Sequence, residues 1–303
     1  YAPQVRPIRI NFDTLQAWCH PLSYYLGIAL LRAASRQSLW LLGFQFHLVG
    51  AQGVGFHYYR PPPDPGQLAI NGVAIPAREQ LPPVVFVHGL GCGLSPYLDF
   101  VRRLTSLRRE IFVIELPEVS QACVGSSLPP DSMAQAIACM LGEFGHKRAT
   151  FLAHSYGTFV LSWVIRRRPD LVAKVVMIDP VNVLLSQPDV AFNFLYRRPK
   201  DAFSLALANF VRWELFSANV LMRHFYWYHN VLWREEFPDD CVFALSGCDD
   251  IIKPASVRRH LEEWARRPDR PKNQSLKVLW FEGFFHGQVV MNKAAQLQVF
   301  AEL

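Results

Sequence analysis

Short, nearly continuous apolar runs recur along this chain, and most are followed by a stretch whose apolar positions have helical spacing. Val84-Val85-Phe86-Val87, Ile111 to Leu116, Thr150-Phe151-Leu152-Ala153 and Lys174 to Asp179 read as strands buried on both faces. Helices are predicted near Pro96 to Leu107, near Pro130 to Gly145 and from Tyr156 to Arg168. Buried strands that alternate with helices mean a mostly parallel sheet covered on both sides. Cys241 to Ser246 and Val278 to Phe281 continue the series, and Gln288 to Leu303 reads as a closing helix. Ahead of it, Phe44 to Val49 and Val54 to Arg60 alternate as two antiparallel strands joined at Gly50 to Gly53. Pro61-Pro62-Pro63-Asp64-Pro65-Gly66 cannot supply ladder donors and is expected to be loop. Asn71-Gly72 predicts a further tight turn.

Two segments stand outside this alternation. Residues 181–238 hold no clear buried strand but are dense in aromatics, including Phe192, Phe194, Tyr196, Phe210, Trp213, Phe216 and the consecutive Phe225-Tyr226-Trp227-Tyr228. Their helical pattern, between the sixth and seventh main strands, predicts a cap over the C-terminal strand ends. Phe225, Tyr226, Trp227 and Tyr228 point in several directions if helical, so some of them are expected to line a substrate pocket. Residues 1–42 form an extension, predicted helical, whose apolar runs at Tyr24 to Arg32 and Leu39 to Phe44 fall short of the roughly 20 residues needed to span a bilayer. The aromatic, apolar and basic residues within 11–43 predict peripheral contact with a membrane surface. Residues 43–180 and 239–303 make up the predicted core.

The stretch Thr150 to Thr158 carries the sharpest chemical signal. An apolar strand ends in Ala153-His154-Ser155-Tyr156-Gly157 and turns helical, which puts Ser155 at the tip of a tight strand-to-helix turn. A nucleophile there needs positive φ, and the strand and helix pass so closely that only small residues fit two positions either side. Ala153 and Gly157 meet that demand, Ala153 departing by one methyl from the usual G-x-S-x-G. Three companions occur in chain order. Val87-His88-Gly89-Leu90-Gly91 is a strand end followed by a glycine loop, able to turn amides toward an oxyanion. Ser246-Gly247-Cys248-Asp249-Asp250 leaves a strand with carboxylates, and Gly283-Phe284-Phe285-His286-Gly287 leaves another with a histidine.

On these segments, V-V-F-V-H-G-L-G, A-H-S-Y-G-T, G-C-D-D-I-I-K-P and G-F-F-H-G, the chain resembles an α/β-hydrolase of the serine esterase and lipase kind, from about Phe44 to the C-terminus. More loosely, Asp179 to Pro199 is similar to a little-characterised branch seen in fungi and algae. The resemblance implies an eight-stranded α/β-hydrolase fold and a triad in which Ser155 attacks a carbonyl, His286 takes its proton, and an acid orients His286. It places that acid at Asp250, because Gly247-x-x-Asp250 fits the family pattern, with Asp249 and Asp179 as alternatives. The oxyanion would be held by the amide of Tyr156 and one from Leu90 or Gly91. His88 and His154 are expected to support the loops by hydrogen bonds, and His224 and His229 of the cap are further candidates for substrate contact.

Composition narrows the picture. The chain has 303 residues, 51% of them apolar, and a net charge of +6. Its arginines fall in separate pairs on predicted helices, which reads as solvated helix faces rather than a nucleic-acid footprint. Gly89-Leu90-Gly91-Cys92-Gly93, with Glu115 ending the next strand, also resembles a dinucleotide fingerprint, but Leu94 stands where its third glycine belongs. No metal-ligand spacing occurs, and no metal or cofactor is expected. The six cysteines show no framework spacing. They read as small buried residues, which favours a reducing, intracellular setting. The reaction expected is hydrolysis of apolar carboxylic esters of medium or long acyl chain. An acyltransferase or thioesterase, a C–C hydrolase or lyase, and a binding protein with an idle triad are the alternatives.

Overall fold

The computed structural model describes residues 7–62 and 81–303, so the turn expected at Asn71-Gly72 lies outside the described residues. Eight strands form one sheet: β1 (Gln45–Val49), β2 (Val54–Tyr59), β3 (Val84–Val87), β4 (Ile111–Ile114), β5 (Ala149–His154), β6 (Val172–Ile178), β7 (Asp240–Ser246) and β8 (Ser275–Phe281). Their order is β1-β2-β4-β3-β5-β6-β7-β8. β2 runs antiparallel to β1 and β4, and all other neighbours are parallel.

The all-apolar runs go to the centre of the sheet, where both faces are covered. Every residue of β3, β4 and β5 is buried, and each large apolar side chain buried there stabilises the fold by roughly 1.5–3 kcal/mol. Helices α1 (Leu22–Leu41), α2 (Leu98–Leu104) and the C-terminal helix Lys293–Phe300 supply Leu39, Phe100, Val299 and Phe300 to the core on one face. Helices α3 (Pro130–Glu143), α4 (Gly157–Arg167) and the helix Pro254–Ala265 cover the other. Because β3, β5, β6, β7 and β8 run in one direction, their exit loops converge on a single edge of the sheet.

Residues between β6 and β7 build the cap from short helices: Asp189–Ala191, which continues into a π-helical turn Phe192–Tyr196, then Ala202–Leu207, which continues into a second π turn Ala208–Arg212, then Leu215–Arg223 and Trp227–Asn230. The segment ahead of α1 runs across this cap. The Trp18 amide donates to the Trp213 carbonyl (3.0 Å), and its indole donates to Asn209 Oδ1 (3.0 Å). Asn11 donates to the Phe225 carbonyl (3.1 Å), and Arg223 donates to the Asp13 carbonyl (2.9 Å). Leu22, Leu26, Leu30, Trp40 and Leu41 are exposed along α1, whereas Arg32 and Arg36 reach Glu115 at 3.6 and 2.6 Å. The leucines and Trp40 thus leave exposed apolar surface along α1, beside the partly exposed Arg36. Among the described residues no helix is long and apolar enough to cross a membrane.

One compositional expectation needs correction, and a second has an exception. Only Cys241 is buried; Cys92 and Cys139 are half-buried, and Cys19, Cys123 and Cys248 are exposed, because loops rather than core elements carry most of them. The arginine pairs are mostly surface ion pairs, such as Arg102 and Arg103 with Asp99. Arg109 is the exception. It is buried and donates to the Pro82 and Leu303 carbonyls and to Thr150 Oγ1.

The junction of N-terminal segment and cap centres on Glu214, which is fully buried. Its carboxylate accepts the Tyr25 hydroxyl (2.9 Å), the amides of Phe216 (3.0 Å) and Ser217 (2.8 Å), and the Ser217 hydroxyl (2.8 Å). Removing it uncaps the helix Leu215–Arg223 and leaves buried donors unmet. Glu214→Ala is expected to lower stability by about 2–4 kcal/mol in chemical denaturation, with the segment ahead of α1 becoming the first site cut in limited proteolysis.

Candidate active site

β5 delivers Ser155 at φ 51°, the left-handed region that a serine occupies only when its surroundings force it. Those surroundings are visible. The Ser155 amide donates to the Ile178 carbonyl (3.0 Å), and the Ser155 carbonyl accepts both the amide (2.9 Å) and the hydroxyl (2.7 Å) of Thr158. Immediately beyond, α4 starts so close to the end of β3 that a Cβ on Gly157 would overlap the Val87 carbonyl and stand 2.8 Å from the His88 carbonyl oxygen. Glycine is required there for lack of space. Ala153 is fully buried in β5 and its methyl is accommodated.

The loop after β8 brings His286 to this serine, with Nε2 2.8 Å from Ser155 Oγ. His286 Nδ1 is 2.6 Å from Oδ2 of Asp249. The acid placed at Asp250 by family pattern is thus corrected by one residue. The loop after β7 bends back at once, with the Asp249 amide on the Ser246 carbonyl (3.1 Å) and the Cys248 amide on the Phe284 carbonyl (2.8 Å). This turns Asp249 inward. Its other oxygen accepts the amides of Ile251 (2.8 Å) and Ile252 (3.0 Å). Asp250 points outward, where Arg197 donates to its carbonyl and stands 3.9 Å from its carboxylate. An aspartate whose side chain takes the amides two and three residues on is a local turn signal, and Asp249-Asp250-Ile251-Ile252 carries it in sequence.

Asp179, the other alternative, does not hydrogen-bond His286. Buried at the end of β6, it accepts the Ser246 amide (2.9 Å) and the Gly287 amide (2.8 Å). One carboxylate therefore ties the acid loop to the histidine loop. Ligand atoms of Asp179, Asp249 and His286 lie within 4.8 Å of one another, a grouping a metal ion would also produce. Here each of the three is already accounted for by hydrogen bonds to its neighbours.

Electrostatics separate the histidines by role. Burial pulls the His286 pKa down, but Asp249, and behind it Asp179 and Asp250, outweigh that and raise it to about 9. His88 is held near 4, chiefly by burial, and His154 is held well below 6.5 by burial and by the neighbouring His286 and His88. Both stay neutral and act as braces. His88 accepts the Leu116 amide at Nε2 (3.1 Å) and donates from Nδ1 to the Gly89 carbonyl (2.7 Å). The Tyr97 hydroxyl accepts the Gly89 amide (3.0 Å) and donates to His154 Nδ1 (2.7 Å), which locks the glycine loop to the elbow. Tyr97 was not singled out by sequence, since only tertiary contact reveals its partner.

Of the expected oxyanion donors, Gly91 is corrected: its amide donates to the Val119 carbonyl (3.0 Å). No acceptor among the described residues takes the amides of Leu90 or Tyr156. Tyr156 opens α4, where first-turn amides have no partner within the helix. Leu90, Ser155 and Tyr156 line a cavity of about 70 Å³ whose other walls include Ile10, Phe159, Val181, Leu185, Phe194, Leu221, Phe225 and Ile251, with no charged side chain among the described lining residues. Of the four cap aromatics proposed as a substrate wall, Phe225 alone is there. Tyr226, Trp227 and Tyr228 are 42%, 46% and 54% exposed. Their helix is a single turn whose inward side is Asn230, bonded to the Trp163 indole (2.8 Å), so the others face out. His224 and His229 do not line this cavity either. Ile10 was missed because nothing local marks a residue of the N-terminal extension as part of a pocket. The dinucleotide reading also fails, since the Glu115 carboxylate is held by Arg36 (2.8 and 2.6 Å) and His57 (2.9 Å).

A serine-directed phosphonate is expected to label Ser155. Asp249→Asn should slow labelling by about 10³–10⁴-fold, and Asp250→Asn by less than about tenfold, because only the former loses control of the His286 tautomer. The labelling rate should rise with pH as His286 loses its proton, along a limb above the ordinary imidazole value of 6.5 and toward about 9. In Asp249→Asn the limb should move acidward, since the charge that raises the His286 pKa is gone. Equal slowing in the two variants would contradict the assignment.

The profile of the alpha/beta hydrolase family matches residues 84–291, more than half of the chain. No curated protein matches by sequence. Among solved structures, a bacterial membrane phospholipase A is similar at 18% identity and TM-score 0.56, with 93% of each chain covered. Carboxylesterase CesB from Bacillus subtilis is similar at 12% identity and TM-score 0.57, with 92% of this chain and 98% of that one covered. An epoxide hydrolase from Vigna radiata is similar at 12% identity and TM-score 0.53, with 85% and 97% covered. At such identities the likeness is one of fold. With the family profile spanning the glycine loop, the elbow, the acid loop and the histidine loop, this chain belongs to the alpha/beta hydrolase family.

Proposed function

We propose that this protein is a serine hydrolase that cleaves carboxylic esters of apolar acids. The observation that carries the reading is the unbroken chain of bonds from Asp249 through His286 to Ser155 Oγ, at 2.6 and 2.8 Å, opening into a cavity without charged walls. His286 takes the Ser155 proton as Oγ attacks the ester carbonyl. The amides of Tyr156 and Leu90 receive the oxyanion, each such donor contributing about 3–4 kcal/mol to the transition state. The protonated His286 then gives its proton to the leaving alkoxide. Water, activated by the same imidazole, releases the acid from Ser155. Likeness in fold to the phospholipase and the carboxylesterase agrees with this reading. The exposed leucines and Trp40 along α1 support peripheral contact with a lipid surface, which liposome sedimentation of the Leu26→Ser/Leu30→Ser variant tests.

A cavity of about 70 Å³ holds a few methylenes before it fills. Each CH₂ buried there contributes about 0.8 kcal/mol, close to fourfold in kcat/KM if its burial persists in the transition state. In a series of p-nitrophenyl esters, kcat/KM is expected to climb from acetyl toward medium chains and then level off. Ile10→Trp, which fills the cavity from the N-terminal segment, should move the optimum to shorter acyl groups without abolishing phosphonate labelling of Ser155. Highest kcat/KM with acetyl esters, or an unmoved optimum in Ile10→Trp, would contradict the assignment of this cavity to the acyl group.

A further inference from the structure

The cap, with Gln16 of the N-terminal segment, lines a second cavity, open to solvent and of about 560 Å³, that shares no lining residue with the one above Ser155. The two lie along the same π-helical turn, Phe192–Tyr196: Phe194 and Leu195 line the first, and Tyr196 lines the second. The charges around the second cavity are one-sided. Arg197, Arg198, Lys200 and Arg212 face it together with a single carboxylate, Asp201, and that carboxylate already caps the helix Ala202–Leu207 through the Ser204 amide (2.7 Å).

Arg212 is the most unusual member. It is only 9% exposed, and among the described residues no carboxylate lies within ion-pairing distance. Its Nη1 donates to the carbonyls of Phe194 (3.0 Å) and Arg197 (2.9 Å). Its buried Nε–H has no acceptor, and neither has the buried indole N–H of the adjoining Trp213. Burial, with the charge of Arg197 added, pushes the Arg212 pKa down. The guanidinium lies over the Trp213 ring (4.8 Å to its centroid), and a guanidinium largely removed from water without a counter-charge is unfavourable, so the folded chain holds beside this cavity a cation that an anion would neutralise. Arg198 and Lys200 likewise have no carboxylate partner among the described residues. Arg197, by contrast, is engaged with Asp250.

We propose that this cavity is a binding site for a phosphate-type oxyanion, held by Arg198, Lys200 and Arg212. Three cations without a carboxylate partner call for more than one negative charge, which a phosphate monoester carries and a single carboxylate does not. Arg198 offers a guanidinium fork that matches two phosphate oxygens, Lys200 an ammonium, and Arg212 its Nη2, since its Nη1 is held by the Phe194 and Arg197 carbonyls. The ligand is either free phosphate or the phosphate of a lipid headgroup, since Pro199 and Leu205 provide apolar walls beside the cations.

The test is calorimetric titration of the whole protein with inorganic phosphate at constant ionic strength, with chloride as reference, alongside sedimentation with phosphatidylcholine vesicles with and without phosphatidic acid. Binding of phosphate in solution identifies the free anion, and binding only to vesicles that contain phosphatidic acid identifies the headgroup. In either case Arg198→Gln/Lys200→Gln, two exposed-loop changes outside the catalytic machinery, should weaken binding at least about tenfold. Phosphonate labelling of Ser155 should be unchanged in that variant. Arg212→Gln can fail to fold, so it is read only where its melting temperature is retained. The proposal is overturned if neither phosphate nor phosphatidic acid binds above the chloride and phosphatidylcholine references. It is equally overturned if Arg102→Gln/Arg103→Gln, with the same charge loss elsewhere, weakens binding as much.

Discussion

The close passage of α4 over the end of β3 is the constraint on which the rest of the site depends. Helix and strand meet where a Cβ on Gly157 would strike the backbone of Val87 and His88, and that proximity forces Ser155 into the left-handed region at φ 51°. Strain of this kind persists only where its surroundings over-determine it. The fully buried β3, β4 and β5 do so, together with the bond from Ser155 to the Ile178 carbonyl on β6. The same approach puts the glycine loop against the elbow, so that Leu90 and Tyr156 line the same apolar cavity as Ser155.

A second constraint acts across the other half of the sheet. Asp179, itself at φ 47°, spends both carboxylate oxygens on backbone amides, one at the last residue of β7 and one in the loop after β8. Parallel strands bring those loops side by side, but their spacing at the level of a hydrogen bond needs a bracket. Asp179 supplies it, and with it the 2.6 Å approach of Asp249 to His286. The buried, neutral His154 and His88 brace the elbow and the glycine loop in the same way and take no charge from His286.

The N-terminal segment joins the outer parts of the molecule to this centre. Its hydrogen bonds run to the cap, its residue Ile10 lines the cavity above Ser155, and its partner Trp213 lines the basic cavity. Cap and extension are thus one layer over the strand ends.

Local pattern determined much of this protein. Unbroken apolar runs could only be strands covered on both faces, and their alternation with helices dictated the sheet. The position of Ser155 and His286 just past strand ends already implied that they would converge, because parallel strands share an exit edge. Where side chains of equal chemistry stood adjacent, or where distant segments met, the sequence had no means of choosing. Asp249 and Asp250 are alike in type and differ only in which way one turn faces, a direction decided by bonds to Ser246 and Phe284. The amide of Gly91 looked as free as that of Leu90 until Val119 took it. Tyr226, Trp227 and Tyr228 were as aromatic as Phe225, but the anchor between Asn230 and Trp163 turned them outward. Composition and period report what a segment will bury; which member of a pair reaches the site depends on contacts from segments far away in the chain, and only the tertiary structure contains those.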